Sequence, residues 1–321
     1  MKGTQVLRKA GQWGAIATLG LVAACDLFMP VEPVLTPRGR PAGLVPPEPK
    51  PQPTSERSAA LRSYLTQVQS SQLTQGLLRR DGGGPDTPFT ANMLARNFEQ
   101  IVFFNEYNSS GVRTGVPGEL RRWQTPVRIG IVFGASVPPS QQARDRADVA
   151  RYANRLARAT GHPISVSSNP NFLVFFVNED ERAATIASAA TRLPGVSAAN
   201  LGAVRNLPDD AYCAVAAYAS GSSRSVYTAA VAVIRAENPD LLRLSCIHEE
   251  LAQGLGLAND SPNARPSIFN DDDEFALLTN HDEALLGMLY DPSLQPGLSL
   301  AEARNTVNQL ALKALGQAGP S

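Results

Sequence analysis

The sequence predicts an α+β fold in which a mixed sheet packs on helices, and three observations support it. Hydrophobic residues make up 43% of the 321-residue chain, enough for a sizeable core. Helical patterns come first along the chain, and strand-length apolar runs follow. These two patterns do not alternate in the regular strand–helix order of a doubly wound fold. We therefore expect one domain over residues 55–321, with an N-terminal helical extension over about 55–120.

Periodicity, caps and breakers place the elements in order along the chain. The predicted helices are Ser55–Arg80, a helix capped by Thr90 and running to Phe103, Ser140–Thr160, Asp180–Arg192, Leu241–Leu255 and Leu300–Leu315. The predicted strands are Val127–Phe133, Pro163–Ser167, Phe172–Val177, Tyr212–Tyr218 and Val226–Ile234.

The overall charge excludes one class of partner. The chain carries 29 basic and 29 acidic residues, whereas a nucleic-acid binder usually shows a basic excess. Three Cys are also too few for a disulfide-rich scaffold. We expect a globular body that binds no nucleic acid.

The first 24 residues predict a signal peptide. A basic start precedes the apolar run Gly14–Ala24, which is too short to cross a bilayer as a helix. The run ends in small residues before Cys25, an arrangement that resembles the bacterial lipoprotein signal. The resemblance implies lipidation at Cys25, which anchors the chain in the cell envelope facing the periplasm. Asp26 resembles an inner-membrane retention signal. An ordinary signal peptide with an incidental Cys is the alternative.

Residues 25–54 predict a membrane tether. The segment Pro30–Pro53 holds nine prolines, each of which fixes φ and removes a backbone donor. Neither a helix nor a central strand can form there, so we expect an extended, semi-rigid spacer. A proline-motif ligand is the alternative function.

Two cysteines remain for the exported body, Cys213 and Cys246. In an oxidising compartment they are expected to form a disulfide. Closing a loop of this size stabilises the fold by roughly 3 to 4 kcal/mol in the chain-entropy model. A catalytic thiol is the alternative, but His248 lies two positions from Cys246 and therefore on a different helix face.

The helix around residues 248–260 carries the strongest motif. His248 and Glu249 start an H-E-x-x-H pattern that lacks its second His. Shifted by one residue, the segment resembles the metzincin motif H-E-x-x-H-x-x-G-x-x-H. In that register Glu250 stands at the general-base position and Gly256 at the turn. The three His positions are occupied by Glu249, Gln253 and Asn259.

Two downstream segments resemble further metzincin features in the same order. Residues 267–270 resemble the Met-turn, with Phe269 replacing Met, and residues 278–290 resemble the last helix of matrixins. Together these resemblances imply a degenerate zincin-like fold. An ordinary amphipathic helix followed by a glycine turn is the alternative.

The donor atoms of this motif argue against a resident zinc. Zinc sites usually contain imidazole or thiolate, whereas this register offers one carboxylate and two neutral amides. We therefore expect no metal and no cofactor. The candidate polar site comprises Glu249, Glu250, Gln253, Asn259 and Asp260. These residues serve either as a buried polar network that fixes the packing or as a binding site for a peptide or a small polar ligand.

Several segments resemble the domain of unknown function 2927 family of bacterial envelope proteins. They are residues 76–83, 90–98, 249–253, 259–261, 266–271 and 289–292. The resemblance spans about residues 57–300 and implies no activity.

Two other polar groups invite a metal hypothesis. His248, His281 and Asp282 could form an alternative site, although nothing in the sequence brings them together. The acidic run Asp271–Glu274 could hold calcium but lacks the spacing of a calcium loop. A cap or a satisfied surface group is favoured for the His residues, and a solvated turn is favoured for the acidic run.

These observations predict a non-catalytic envelope lipoprotein, a pseudopeptidase that binds a peptide or an envelope protein or has a structural role. The alternative is a metal-dependent peptidase with atypical ligands, in which Glu250 is the general base.

Overall fold

A computed structural model describes residues 52–104, 117–220, 224–270 and 272–316, all within the unit Glu48–Ser321. The predicted signal peptide, Cys25 and most of the tether lie outside these residues. In the part of the chain that the structure describes, no helix is both long and apolar enough to cross a membrane.

The described elements follow the predicted order. The helices are α1 (Glu56–Thr74), α2 (Ala91–Phe103), α3 (Pro139–Thr160), α4 (Glu179–Ala190), α5 (Gly202–Arg205), α6 (Asp240–Gln253), α7 (Asn280–Leu289) and α8 (Leu300–Ala314). The strands are β1 (Arg122–Trp123), β2 (Val127–Phe133), β3 (Ile164–Val166), β4 (Phe172–Val177), β5 (Cys213–Ala219) and β6 (Val226–Arg235). Thr90 caps α2 as predicted, since its side chain accepts a hydrogen bond from the Met93 backbone N–H.

Three differences from the predicted elements have local causes. The first helix ends at Thr74 and not at Arg80, because Gly76 (φ 78°) and Leu78 (φ 57°) turn the chain into the left-handed region. The strand β1 and the helix α5 were not predicted. Each is too short, at two and four residues, to show a period.

The six strands form one mixed sheet, which confirms the predicted α+β class. The strand order is β1-β6-β4-β2-β3, and β5 pairs with β6 off this path. The β5–β6 pair is antiparallel, while the other pairs are parallel. Parallel neighbours need long crossover connections, and α3 and α4 supply two of them.

Both faces of the sheet are covered. Alternate side chains of β4 and β6 belong to two separate core clusters, as the two-residue period of a strand requires. One cluster joins the sheet to α2, α3, α6, α7 and α8, and the other joins it to α4 and α5. The sequences of β4 and β6 are therefore nearly continuous apolar runs, as is usual for strands that are buried on both faces.

The helix α6 follows β6 after a four-residue connection and packs on the sheet. Its carboxyl end is fixed at Gly254, whose backbone oxygen accepts a 2.9 Å hydrogen bond from Trp123 Nε1. A Cβ at Gly254 would lie 2.4 Å from Phe172 Cζ, so a larger residue would push the helix off the sheet. These contacts hold the carboxyl end of α6 against the sheet.

Candidate functional site

A tight turn follows α6 at Gly256. The residue has φ 125°, and a Cβ there would lie 2.5 Å from the backbone oxygen of Arg121. Both the backbone conformation and the close approach require glycine. The turn leads the chain past α6 to the segment that holds Asn259 and Asp260.

The predicted disulfide between Cys213 and Cys246 is confirmed. It joins the first residue of β5 to the second turn of α6, with the two Cα atoms 5.9 Å apart. Both sulfurs are bonded to each other, so neither is a nucleophile in this state. The disulfide therefore fixes the edge of the sheet to the helix that carries the candidate site.

Two carboxylates lie beside this disulfide. An oxygen of Glu249, an oxygen of Glu250 and Cys213 Sγ all lie within 4.8 Å of one another. Glu250 is only 3% exposed, whereas Glu249 and Cys213 are half-buried. We call Glu249 and Glu250 the carboxylate pair. The pair lies at the start of β5.

The other predicted site residues, Gln253, Asn259 and Asp260, do not all lie together. Gln253 Nε2 donates a long hydrogen bond of 3.4 Å to Asp260 Oδ1, so these two side chains meet. Asn259 Nδ2 instead donates to the backbone oxygen of Gln100 on α2, at 3.0 Å. The amide of Asn259 thus ties the chain after the turn to α2, which is a structural use of that side chain.

The donor set around the carboxylate pair does not fit a zinc ion in this state. The sulfur of Cys213 belongs to a disulfide and is not a thiolate. Two carboxylates remain, without the imidazole or thiolate that zinc sites usually contain. No catalytic step through a metal follows from this arrangement.

His248 faces away from the carboxylate pair. Its ring stacks on Tyr152 with centroids 3.9 Å apart, and its Nδ1 accepts a hydrogen bond from the backbone N–H of Leu278. Burial, assisted by the positive charge of Arg155, lowers the pKa of His248 to about 3. The side chain is therefore neutral and joins α6 to α3 and to the segment before α7.

His281 and Asp282 are both fully buried at the start of α7. His281 Nε2 lies 3.0 Å from Asn97 Nδ2, an amide donor on α2, so this ring nitrogen is the acceptor. The Asp282 carboxylate accepts hydrogen bonds from Ser267 Oγ, from the backbone N–H groups of Ile268 and Thr279, and from Thr279 Oγ1. Asp282 thus forms the capping box of α7 with Thr279, whereas His281 is a buried ring bonded to α2 and is neither a cap nor a surface group.

The segment that resembles a Met-turn is a buried turn. Phe269 is fully buried in the cluster that contains much of α6. Its backbone N–H donates to Ser267 Oγ, and its backbone oxygen accepts from the Ser261 N–H. Through Ser267 this turn is bonded to Asp282, so one carboxylate fixes the turn and the start of α7 together.

The residues of the acidic run Asp271–Glu274 differ in their exposure and in their ion pairs. Asp272 and Asp273 are exposed, as a solvated turn predicts. Glu274 is less exposed, and its carboxylate pairs with Arg79 and Arg265. Asp271 lies outside the described residues.

The fold and the site define a mixed α/β domain with an acidic cluster beside the antiparallel edge strand of its sheet. The chain belongs to the family described as "Protein of unknown function (DUF2927)", whose sequence profile matches residues 91–309. The match runs from the first residue of α2 into α8 and includes the whole sheet and α6. The predicted family membership is thus confirmed. No curated protein and no solved structure matches the chain significantly.

Proposed function

We propose that this domain is a non-catalytic module of the bacterial envelope that binds an extended, basic peptide along β5. The observation that carries the proposal is the position of the carboxylate pair within 4.8 Å of Cys213 Sγ, at the first residue of that strand. Backbone groups of the strand would hold the peptide main chain, and the carboxylates would select Lys or Arg side chains.

The strand β5 has the features of a template for strand addition. Among the strands that the structure describes, it pairs with β6 alone. Its alternate side chains pack into the two core clusters, so its two faces are covered and its second edge is the part left to pair. An extended peptide added to such an edge gains main-chain hydrogen bonds, while side-chain pockets give specificity.

The negative charge near β5 extends beyond the carboxylate pair. Burial raises the pKa of Tyr212, the residue before β5, and the nearby carboxylates of Asp273 and Asp210 add to the shift. A cation on the ligand is therefore favoured at this end of the strand. A peptide with acidic side chains would meet like charge there.

Three observations support a degenerate zincin-like origin for this arrangement. The helix α6 directly follows a sheet strand, Gly256 forms the turn after it, and the turn around Phe269 is buried in the same core. The side chains at the three predicted His positions are those of Glu249, Gln253 and Asn259. Glu250, at the general-base position, has no metal-bound water to activate in the donor set described above.

The location of the module is proposed from the sequence alone. The apolar run before Cys25 supports a lipid anchor in the envelope membrane, and Pro30–Pro53 supports a spacer. Radiolabelled palmitate should enter the wild-type chain and not a Cys25→Ala variant. Equal labelling of the two would contradict the anchor.

Peptide binding is tested with the full oxidised chain and two labelled heptapeptides. One alternates Lys and Thr, and the other has Glu in place of Lys. We expect fluorescence anisotropy to show that the Lys peptide binds and that the Glu peptide binds at least about tenfold more weakly. Added salt should weaken the binding of the Lys peptide. N-methylation of every second amide of the Lys peptide can be done in two registers. It should abolish binding in the register whose methylated amides face β5, because it removes the donors to that strand, and not in the other.

A double variant tests the site itself. Glu249→Gln with Glu250→Gln should weaken binding of the Lys peptide at least about tenfold, since two charge-assisted contacts are lost. The matched control is Glu283→Gln on α7, which should bind as wild type does. Equal affinity for the Lys and Glu peptides, or no binding of either, would contradict the proposal. One zinc per oxidised chain, with hydrolysis abolished by Glu250→Gln, would favour the peptidase alternative.

A further inference from the structure

The disulfide and the carboxylate pair together contain the atoms of a second kind of site. Cys246, Glu249 and Glu250 stand at positions i, i+3 and i+4 of α6, which places them on one face of the helix. Cys213 reaches the same face from β5 through the disulfide. We propose that reduction of the Cys213–Cys246 disulfide unmasks a site for one zinc ion, with two thiolate and two carboxylate ligands.

The distances favour this assignment. With typical zinc–sulfur and zinc–oxygen bond lengths, tetrahedral ligand atoms lie about 3.3 to 3.8 Å apart. Cys213 Sγ and one oxygen from each carboxylate already lie within 4.8 Å of one another. Once the sulfur–sulfur bond is broken, the two sulfurs separate to the tetrahedral spacing by side-chain rotation.

The burial of the four residues gives the site a closed side and an open side. Cys246 is 1% exposed and Glu250 is 3% exposed, so these two ligands form the floor. Cys213 and Glu249 are half-buried and form the entrance. A cation can therefore arrive from solvent and complete its shell with groups that the fold already holds in place.

The redox step determines whether the site exists. A dithiol reductant gives two electrons and two protons to the disulfide, which becomes two thiols while the reductant becomes a disulfide. Zinc then replaces the two thiol protons, which are released. A disulfide sulfur is a poor ligand, so the oxidised protein offers only the two carboxylates, and the disulfide acts as a mask.

The ligand charges of the loaded site suit a divalent cation. Two thiolates and two carboxylates carry four negative charges, and a divalent ion reduces this to two. Asn238 Nδ2 lies 3.7 Å from Cys246 Sγ and is already oriented to donate to it. Thiolates select zinc over magnesium or calcium. The site differs from the three-His site of the metzincin resemblance in ligands, position and redox dependence, and it does not rest on peptide binding.

The test uses Co²⁺ as a spectroscopic substitute for zinc. The full chain is reduced with dithiothreitol, which is removed under nitrogen before Co²⁺ is added. We expect one Co²⁺ per reduced chain, a thiolate-to-cobalt charge-transfer band, and displacement by zinc. The untreated, oxidised chain should show no such band. Circular dichroism of the reduced chain reports whether the fold persists.

Three variants separate a built site from two exposed thiols. Glu249→Gln and Glu250→Gln should each weaken Co²⁺ binding at least about tenfold, as loss of metal-site partners does. The control Glu99→Gln alters a half-buried carboxylate on α2 that pairs with Arg304, and it should bind as wild type does. An unfolded reduced chain would bind through its thiols alone, and both site variants would then equal wild type. That outcome, or no Co²⁺ binding by the reduced wild type, would overturn the proposal.

Discussion

The carboxylate of Asp282 and the carboxylate pair on α6 are acidic groups in different surroundings. Asp282 is fully buried and accepts four hydrogen bonds from the turn before α7 and from its cap. The carboxylate pair lies beside a strand edge and a disulfide, and one of its members is half-buried. Asp282 is thus bonded into the fold on all sides, whereas the pair reaches solvent through Glu249, where we propose that a ligand arrives.

The largest expected effect tests the structural side of this comparison. Asp282→Ala should lower the free energy of unfolding by about 3 to 5 kcal/mol, because the buried N–H groups of Ile268 and Thr279 lose their acceptor. Denaturant unfolding measures the loss. Glu283→Ala, one residue later and partly exposed, should cost at most about 1 kcal/mol. Equal losses in the two variants would remove the distinction.

The Cys213–Cys246 disulfide belongs to both sides of the comparison, because it stabilises the fold and lies beside the carboxylate pair. Replacing Cys213 and Cys246 by Ser should lower the free energy of unfolding by about 3 to 4 kcal/mol, from the entropy that a loop of this size regains when unfolded. The α6 carboxylates would keep their place in a variant that still folds. A double variant as stable as wild type would mean that packing alone fixes β5 to α6.

The pH dependence of stability separates buried from accessible His residues. The pKa of His248 is lowered from 6.5 to about 3, so the unfolded chain binds its proton more readily than the folded one. The contribution is complete above the unfolded pKa and is lost as the pH falls below it. Between pH 7 and pH 5 this single group should cost about 2 kcal/mol of stability.

The check compares unfolding free energies at pH 7 and pH 5 in wild type and His248→Gln. The variant should lose less stability on acidification than wild type by about that amount, because Gln does not titrate. The control is His162→Gln. Burial also lowers the pKa of His162, but this side chain is half-buried and solvent screens the effect. Its replacement should therefore change the pH dependence of stability less than His248→Gln does. An unchanged pH slope in His248→Gln would contradict the neutral, structural role of His248.

The smallest expected effect concerns Asn259, which the sequence motif predicted to be part of the polar site. Its amide donates to the Gln100 backbone oxygen in a solvent-exposed contact. Asn259→Ala should change the free energy of unfolding by at most about 0.5 kcal/mol and leave binding of the Lys peptide unchanged. A loss of peptide affinity would extend the ligand site beyond the carboxylate pair and sharpen its boundary.

Much of the fold could be predicted because its signals are local. Apolar runs of strand length and the cap at Thr90 fixed the bounds of β2, β4 and α2 in agreement with the structure. The parallel pairing of most strands could not be predicted, since it depends on how α3 and α4 cross between strands that are distant in sequence. The candidate site was only half visible, because Glu249 and Glu250 follow from a motif, whereas their proximity to Cys213 follows from tertiary packing.

By itself the sequence determined the order of elements, the α+β class, the family and the pairing of Cys213 with Cys246, because periodicity, motifs and cysteine count need no knowledge of distant contacts. The tertiary structure decided which polar residues share a place. It put the carboxylate pair beside β5, turned Asn259 toward α2 and buried His281 with Asp282. The physical reason is that a helix fixes which side chains share a face, while only packing decides what that face meets.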